Sequence, residues 1–111
     1  MSDKDKIENK PRVVYIGELT ENVSKEIILE LMRFDMVSNE PIRVVVNSCG
    51  GYTSEMFAIY DAMRICDSPI LTIGIGTVMS AGVILLAAGE NGGRTISASS
   101  TVMIHEVSSA S

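Results

Sequence analysis

Three short stretches combine residue types that can do hydrolytic chemistry. In Asn47-Ser48-Cys49-Gly50-Gly51, two adjacent glycines follow an apolar run. With no Cβ in the way, the backbone N–H groups of such a turn can approach a substrate atom closely and form an oxyanion hole or anion nest. Taken alone, an ordinary turn whose glycines supply positive φ explains it more simply. In Gly76-Thr77-Val78-Met79-Ser80-Ala81-Gly82, Ser80 stands where a strand gives way to a helix. A helix N-terminus offers free N–H groups and a positive dipole end. A serine there is either an N-cap or a nucleophile whose neighbour's N–H stabilises the tetrahedral oxyanion. Ala81 and Gly82 are small and leave room for a substrate. The third stretch ends in His105, the single histidine of the chain. As general base for Ser80 it has to come within about 2.6–3.2 Å of the hydroxyl. One histidine and two distant cysteines without CxxC spacing speak against zinc, and no cofactor is called for.

These residues need a scaffold, and the pattern predicts one. Arg12 to Ile16 reads as a short strand closed by Gly17. Thr20 is a fair N-cap for a helix from about Glu21 to Met36, with Val23, Ile27, Leu31 and Phe34 on its apolar face. Ile42 to Val46 is apolar except for Arg43 and reads as a buried strand, followed by a tight turn from Asn47 to Gly51. Thr53 or Ser54 caps a helix with Met56, Ile59, Tyr60 and Met63 as its stripe, ended by Asp67 to Pro69. Ile70 to Ala88 reads as a strand to Ile75, a turn from Gly76 to Ser80, then a buried helix. Gly89 to Gly93 is a glycine-rich turn, and Arg94 to Ser97 and Thr101 to Ile104 are short strands. The alternation predicts an α/β fold with a largely parallel sheet, in which active residues gather at the carboxyl ends of strands.

Composition narrows the function classes. A chain of 111 residues makes one domain, here a mobile arm over residues 1–11 and a head over 12–111. A net charge of −5, with Arg94 the only basic side chain after Arg64, speaks against a nucleic-acid partner. Cys49 and Cys66 are too few for a disulfide framework and fit reduced thiols in the cytoplasm. Met1 to Arg12 has no apolar core of a signal peptide. Ser68 to Gly89 carries no charge and approaches the length of a membrane span, but Pro69, Gly74, Gly76, Gly82 and Gly89 punctuate it, so soluble core is expected and no membrane partner.

Taken together, these motifs resemble the proteolytic subunit of the ATP-dependent Clp protease, the ClpP-like serine peptidases of the crotonase superfamily. The family's Asn-Ser-Pro-Gly-Gly turn stands here as Asn47 to Gly51, with Ala58-Ile59-Tyr60-Asp61-Ala62-Met63 in the next helix. Its Gly-x-x-x-Ser segment matches Gly76 to Ser80, and Leu85-Leu86-Ala87-Ala88-Gly89 follows. Its Val-Met-Ile-His motif stands at Val102 to His105. The match runs from about Arg12 to Glu106.

The resemblance implies a crotonase/ClpP-like fold of repeated strand–helix units. It implies Ser80 as nucleophile, His105 as general base, and the N–H groups of Gly51 and Ala81 as the oxyanion hole. It also implies unfolded polypeptides as substrates, homo-oligomeric heptameric rings, and an AAA+ unfoldase as partner. Several departures stand beside it. Cys49 replaces the turn's proline, Val78 and Met79 replace small residues and are expected to crowd the serine, and the axial loop before Arg12 is short. The triad aspartate and the handle helix belong beyond the histidine, so the chain is expected to be a fragment, or a truncated or split gene product, lacking both. Glu106, beside the histidine, points to the opposite side of an extended chain. Two other functions compete: a catalytically inactive Clp-like assembly subunit, and a crotonase-type acyl-CoA enzyme using the same glycine turn on a thioester. The second leaves the Ser80–His105 pair unexplained.

Overall fold

In the computed structural model, residues 10–103 are described. They form five strands and three helices. β1 is Val13–Ile16, α1 Val23–Val37, β2 Ile42–Ser48, α2 Thr53–Ile65, β3 Ile70–Met79, α3 Ala81–Ala87, β4 Arg94–Ile96 and β5 Thr101–Met103. The strands make one parallel sheet in the order β1-β2-β3-β4, with β5 also paired to β3. β4 lies along the first part of β3, at Thr72 to Gly74, and β5 along its end, at Thr77 to Met79. The expected α/β architecture with a parallel sheet is therefore present.

Parallel neighbours need crossovers, and each helix supplies one on the same face of the sheet, as the right-handed rule requires. That face is dry. Val14, Ile16, Val44, Val46 and Val78 from the strands meet Leu31 and Phe34 of α1, Met56 and Ile59 of α2, and Leu85 of α3 in one core cluster. No element among the described residues covers the other face. Val13, Tyr15, Arg43 and Ile75 are exposed, and Val45 and Ile73 half-buried. The expectation of a strand buried on both faces at Ile42 to Val46 is thus corrected. Its burial alternates, because helices cover only one side.

The helix starts also differ from expectation. α1 begins after Asn22, at φ 67, with no side-chain cap, so Thr20 is not its N-cap. Its first turn is served from outside instead: Ser24 N–H donates to Glu55 Oε1 on α2 at 3.0 Å. α2 starts at Thr53 after Tyr52, again without a side-chain cap, so neither Thr53 nor Ser54 occupies the capping position. The far end of α1 is closed by Arg12. Its guanidinium donates to the carbonyls of Phe34 (2.8 Å), Ser38 (3.0 Å) and Glu40 (2.7 Å), and lies over the Phe34 ring. Beside it, Asp35 accepts the Ser68 hydroxyl at 2.7 Å and the Ser68 N–H at 2.9 Å. Burial alone would raise the Asp35 carboxyl. The Ser68 and Asp67 hydrogen bonds, with the Arg12 charge, hold it below its ordinary value.

Ile70 to Ala88 is a strand and a helix, and no helix among the described residues is long and apolar enough to cross a membrane. The strand is longer than expected. β3 continues to Met79, so the expected turn from Gly76 to Ser80 is an irregular stretch of strand. Residues 1–9 of the expected arm lie outside the described residues. Lys10, at its end, sits 3.7 Å from Glu30.

Candidate active site

Ser80 occupies the junction between β3 and α3, at φ 54 and ψ −125, a conformation that L-residues with a side chain rarely adopt. It stands at the N-cap position of α3, yet its side chain makes no capping hydrogen bond to the helix. The plain N-cap role is therefore not the one it plays. The main chain around it is well held. Ser80 N–H donates to the Met103 carbonyl at the end of β5, at 3.2 Å, and Val83 N–H donates to the Ser80 carbonyl at 3.0 Å.

The glycine turn reaches the same point from β2. A β-carbon built on Gly50, whose φ is +105, would lie 3.0 Å from Ser80 Cβ, 3.4 Å from Ser80 Oγ and 3.5 Å from the Ala81 nitrogen. A side chain at this φ is strained and would press on the serine. Gly51, at φ +140, forms an isolated parallel bridge with Leu19. Leu19 N–H donates to the Gly50 carbonyl and Tyr52 N–H to the Leu19 carbonyl, both at 2.9 Å. In a parallel bridge of this kind the neighbours make both bonds, so the N–H of Gly51 itself is turned away from Leu19. Gly82 lets α3 sit low on the sheet: a β-carbon there would be 3.0 Å from the Ser48 carbonyl.

Of the four residues singled out from the sequence, Ser80, Ala81 and Gly51 are gathered at the carboxyl ends of β2 and β3. His105 lies outside the described residues, as does Glu106. The pairing of β5 with β3 is described as far as Met103. Val78 is fully buried and belongs to the core cluster. Among the described residues no group of three or more His, Cys, Asp or Glu could hold a metal.

Three contacts at the site had no local signature. Cys49, where a proline would have no N–H, donates its N–H to Glu18 Oε1 at 2.9 Å, tying the turn to the loop after β1. Asn47 Oδ1 accepts the Thr77 N–H at 3.2 Å, and Asn47 Nδ2 donates to the Tyr15 hydroxyl at 3.1 Å. Gly76 inside a strand pattern was the available hint, because such glycines mark bulges.

Comparison with known proteins agrees with this arrangement. The family model described as "Clp protease" matches residues 2–111. The ATP-dependent Clp protease proteolytic subunit of Carsonella ruddii is 36% identical over 98 residues, covering 87% of this chain and 50% of the relative. That of Deinococcus radiodurans is 35% identical over 99 residues, covering 87% and 48%. The chain thus spans about half the length of the curated relatives it matches. Among solved structures, a mutant of ClpP1 from Listeria monocytogenes superposes with a TM-score of 0.84 at 28% identity, covering 92% of this chain and 59% of that one.

Proposed function

The chain belongs to the Clp protease family, and on that premise we propose that it is a serine endopeptidase subunit of a Clp-type protease, acting on unfolded polypeptide. Ser80 is the nucleophile and His105 the general base. His105 takes the proton from Ser80 Oγ as that oxygen bonds to the scissile carbonyl carbon. The carbonyl oxygen becomes an oxyanion, received by the N–H groups of Gly51 and Ala81. The protonated imidazole then gives its proton to the leaving amine, the C–N bond breaks, and an acyl-Ser80 remains. Water, deprotonated by the same histidine, releases it. Homo-oligomeric rings and an AAA+ unfoldase complete the working assembly.

One observation supports this reading above the others: the close approach of Gly50 to Ser80 at a strand–helix junction held at positive φ. Such geometry sets the hydroxyl beside the glycine turn and near the Ala81 nitrogen. An acyl-CoA enzyme would need the glycine turn but not the serine. A fluorophosphonate probe tests the difference. Covalent labelling at Ser80, lost in Ser80→Ala, is the expected result. A folded chain that takes up no label sinks the peptidase reading and leaves the assembly role and the acyl-CoA reading.

A further inference from the structure

Between β2 and β3 the register jumps. Val46 pairs with Gly74, and the next pair is Ser48 with Val78. β2 advances two residues while β3 advances four, so β3 carries two extra residues just before Ser80. Laid out as regular strand, they would carry the serine about 6–7 Å further along. It would then pass the Gly50–Gly51 turn instead of meeting it.

Asn47 is the residue of β2 that faces this excess. The ladder cannot pair Thr77 N–H there, and Asn47 Oδ1 accepts it at 3.2 Å. Gly76, at φ +75, makes the space: a β-carbon on it would lie 2.7 Å from Asn47 Oδ1. The other end of the amide is fixed on a third strand, through Nδ2 to the Tyr15 hydroxyl at 3.1 Å. On the opposite edge of β3 the Gly74 carbonyl accepts Ser97 N–H at 2.9 Å and the Ser100 hydroxyl at 3.0 Å.

We propose that Asn47 is a positioning residue for Ser80: its carboxamide, anchored on Tyr15, holds β3 in the bulged path that delivers the serine to the Gly50–Gly51 turn. The proposal deepens the peptidase reading and rests on it for its kinetic consequence. Asn47 touches no reacting atom. It acts through Thr77 and the three residues that follow.

Asn47→Leu keeps the shape of the side chain and removes both hydrogen bonds. Asn47→Asp keeps an acceptor for Thr77 N–H and a second oxygen for the Tyr15 hydroxyl. The readouts are the rate of fluorophosphonate labelling at Ser80 and, by NMR, the amide exchange of Thr77 and the amide shift of Ser80. The expected result is labelling slowed roughly 10- to 100-fold in Asn47→Leu, as for an ångström-scale misplacement, with rescue to within about threefold in Asn47→Asp. Thr77 exchange should accelerate in the first variant and stay slow in the second. If Asn47→Leu does not fold, Tyr15→Phe takes its place, with labelling slowed about two- to fivefold. Labelling unchanged in the folded Leu variant, or in the Phe variant standing in for it, overturns the proposal, as does an Asp variant as slow as Leu. If the wild-type chain takes no label, the peptidase reading fails separately. The two NMR readouts still decide the positioning role, and an unmoved Ser80 shift in Asn47→Leu, or in Tyr15→Phe standing in for it, overturns it.

Discussion

Gly50 and Ser80, 30 residues apart in sequence, approach so closely that a methyl group on the glycine would lie 3.0 Å from Ser80 Cβ. Gly50→Ala therefore brings two penalties: a side chain at φ +105, and pressure on the serine. The first costs about 1–3 kcal/mol. The second should slow fluorophosphonate labelling by roughly tenfold or more, by moving the hydroxyl off its line. Chemical denaturation and labelling rates measure the two separately. A variant that loses stability but labels at the wild-type rate would show that the contact shapes the turn only.

Asp35 gives the fold an acid-sensitive element. Its carboxyl is held below its ordinary value by the Ser68 and Asp67 hydrogen bonds against the opposing effect of burial, with the Arg12 charge adding to them. A carboxylate with a lowered folded value stabilises fully above the unfolded value, and the contribution is lost as pH falls through the folded value. Asp35→Asn should cost about 1 kcal/mol near neutral pH, a figure kept small because solvent reaches the group and screens it. The gap between wild type and variant, read by urea denaturation, should narrow steadily as pH is lowered from about 5. A gap independent of pH would mean that ionisation of Asp35 adds nothing to the stability of the fold.

The two thiols should separate by reactivity. Cys49 is exposed, whereas Cys66 is partly buried. Burial, with Asp35 and Asp67 nearby, pushes the Cys66 thiol up to about 11. Near pH 8 only about one Cys66 in a thousand is thiolate, and the thiolate is the reactive form. Iodoacetamide under native conditions should modify Cys49 first, with Cys66 following only in denaturant. Equal rates in the folded chain would show that the end of α2 opens readily.

How far the sequence reveals such a molecule depends on whether a signal is local. The apolar stripes of α1 and α2 repeat at helical spacing, and β2 and β3 are rich in β-branched residues, so their elements are legible. The closeness of the glycine turn to Ser80 followed from a rule about strand ends in parallel sheets. Three features escaped. Ser24 is capped by Glu55, 31 residues away, so no capping residue stands next to α1. Arg12 closes the end of α1 from 22 residues upstream. The end of β3 reads as a turn because its glycine and small residues suit one. Strand pairing with β5 and the side chain of Asn47 keep it extended to Met79. In each case a side chain distant in sequence overrides the local preference.

Ser80 itself carries the last prediction. A residue with a side chain at φ 54 and ψ −125 is strained by about 1–3 kcal/mol, and the strain persists only because the surroundings impose it. Glycine relieves it, less about 0.5–1 kcal/mol for the greater freedom glycine loses on folding. Ser80→Gly should therefore fold more stably than wild type by about 1 kcal/mol while losing all labelling. Ser80→Ala keeps the β-carbon and with it the strain, so it should lose labelling at nearly unchanged stability. The pair separates the hydroxyl from the backbone. Both variants lack the nucleophile, and only one lacks the strain. Urea denaturation of the three chains side by side gives the result. If glycine stabilises no more than alanine, the conformation at Ser80 is relaxed, and the junction is not held in place at a cost to the fold.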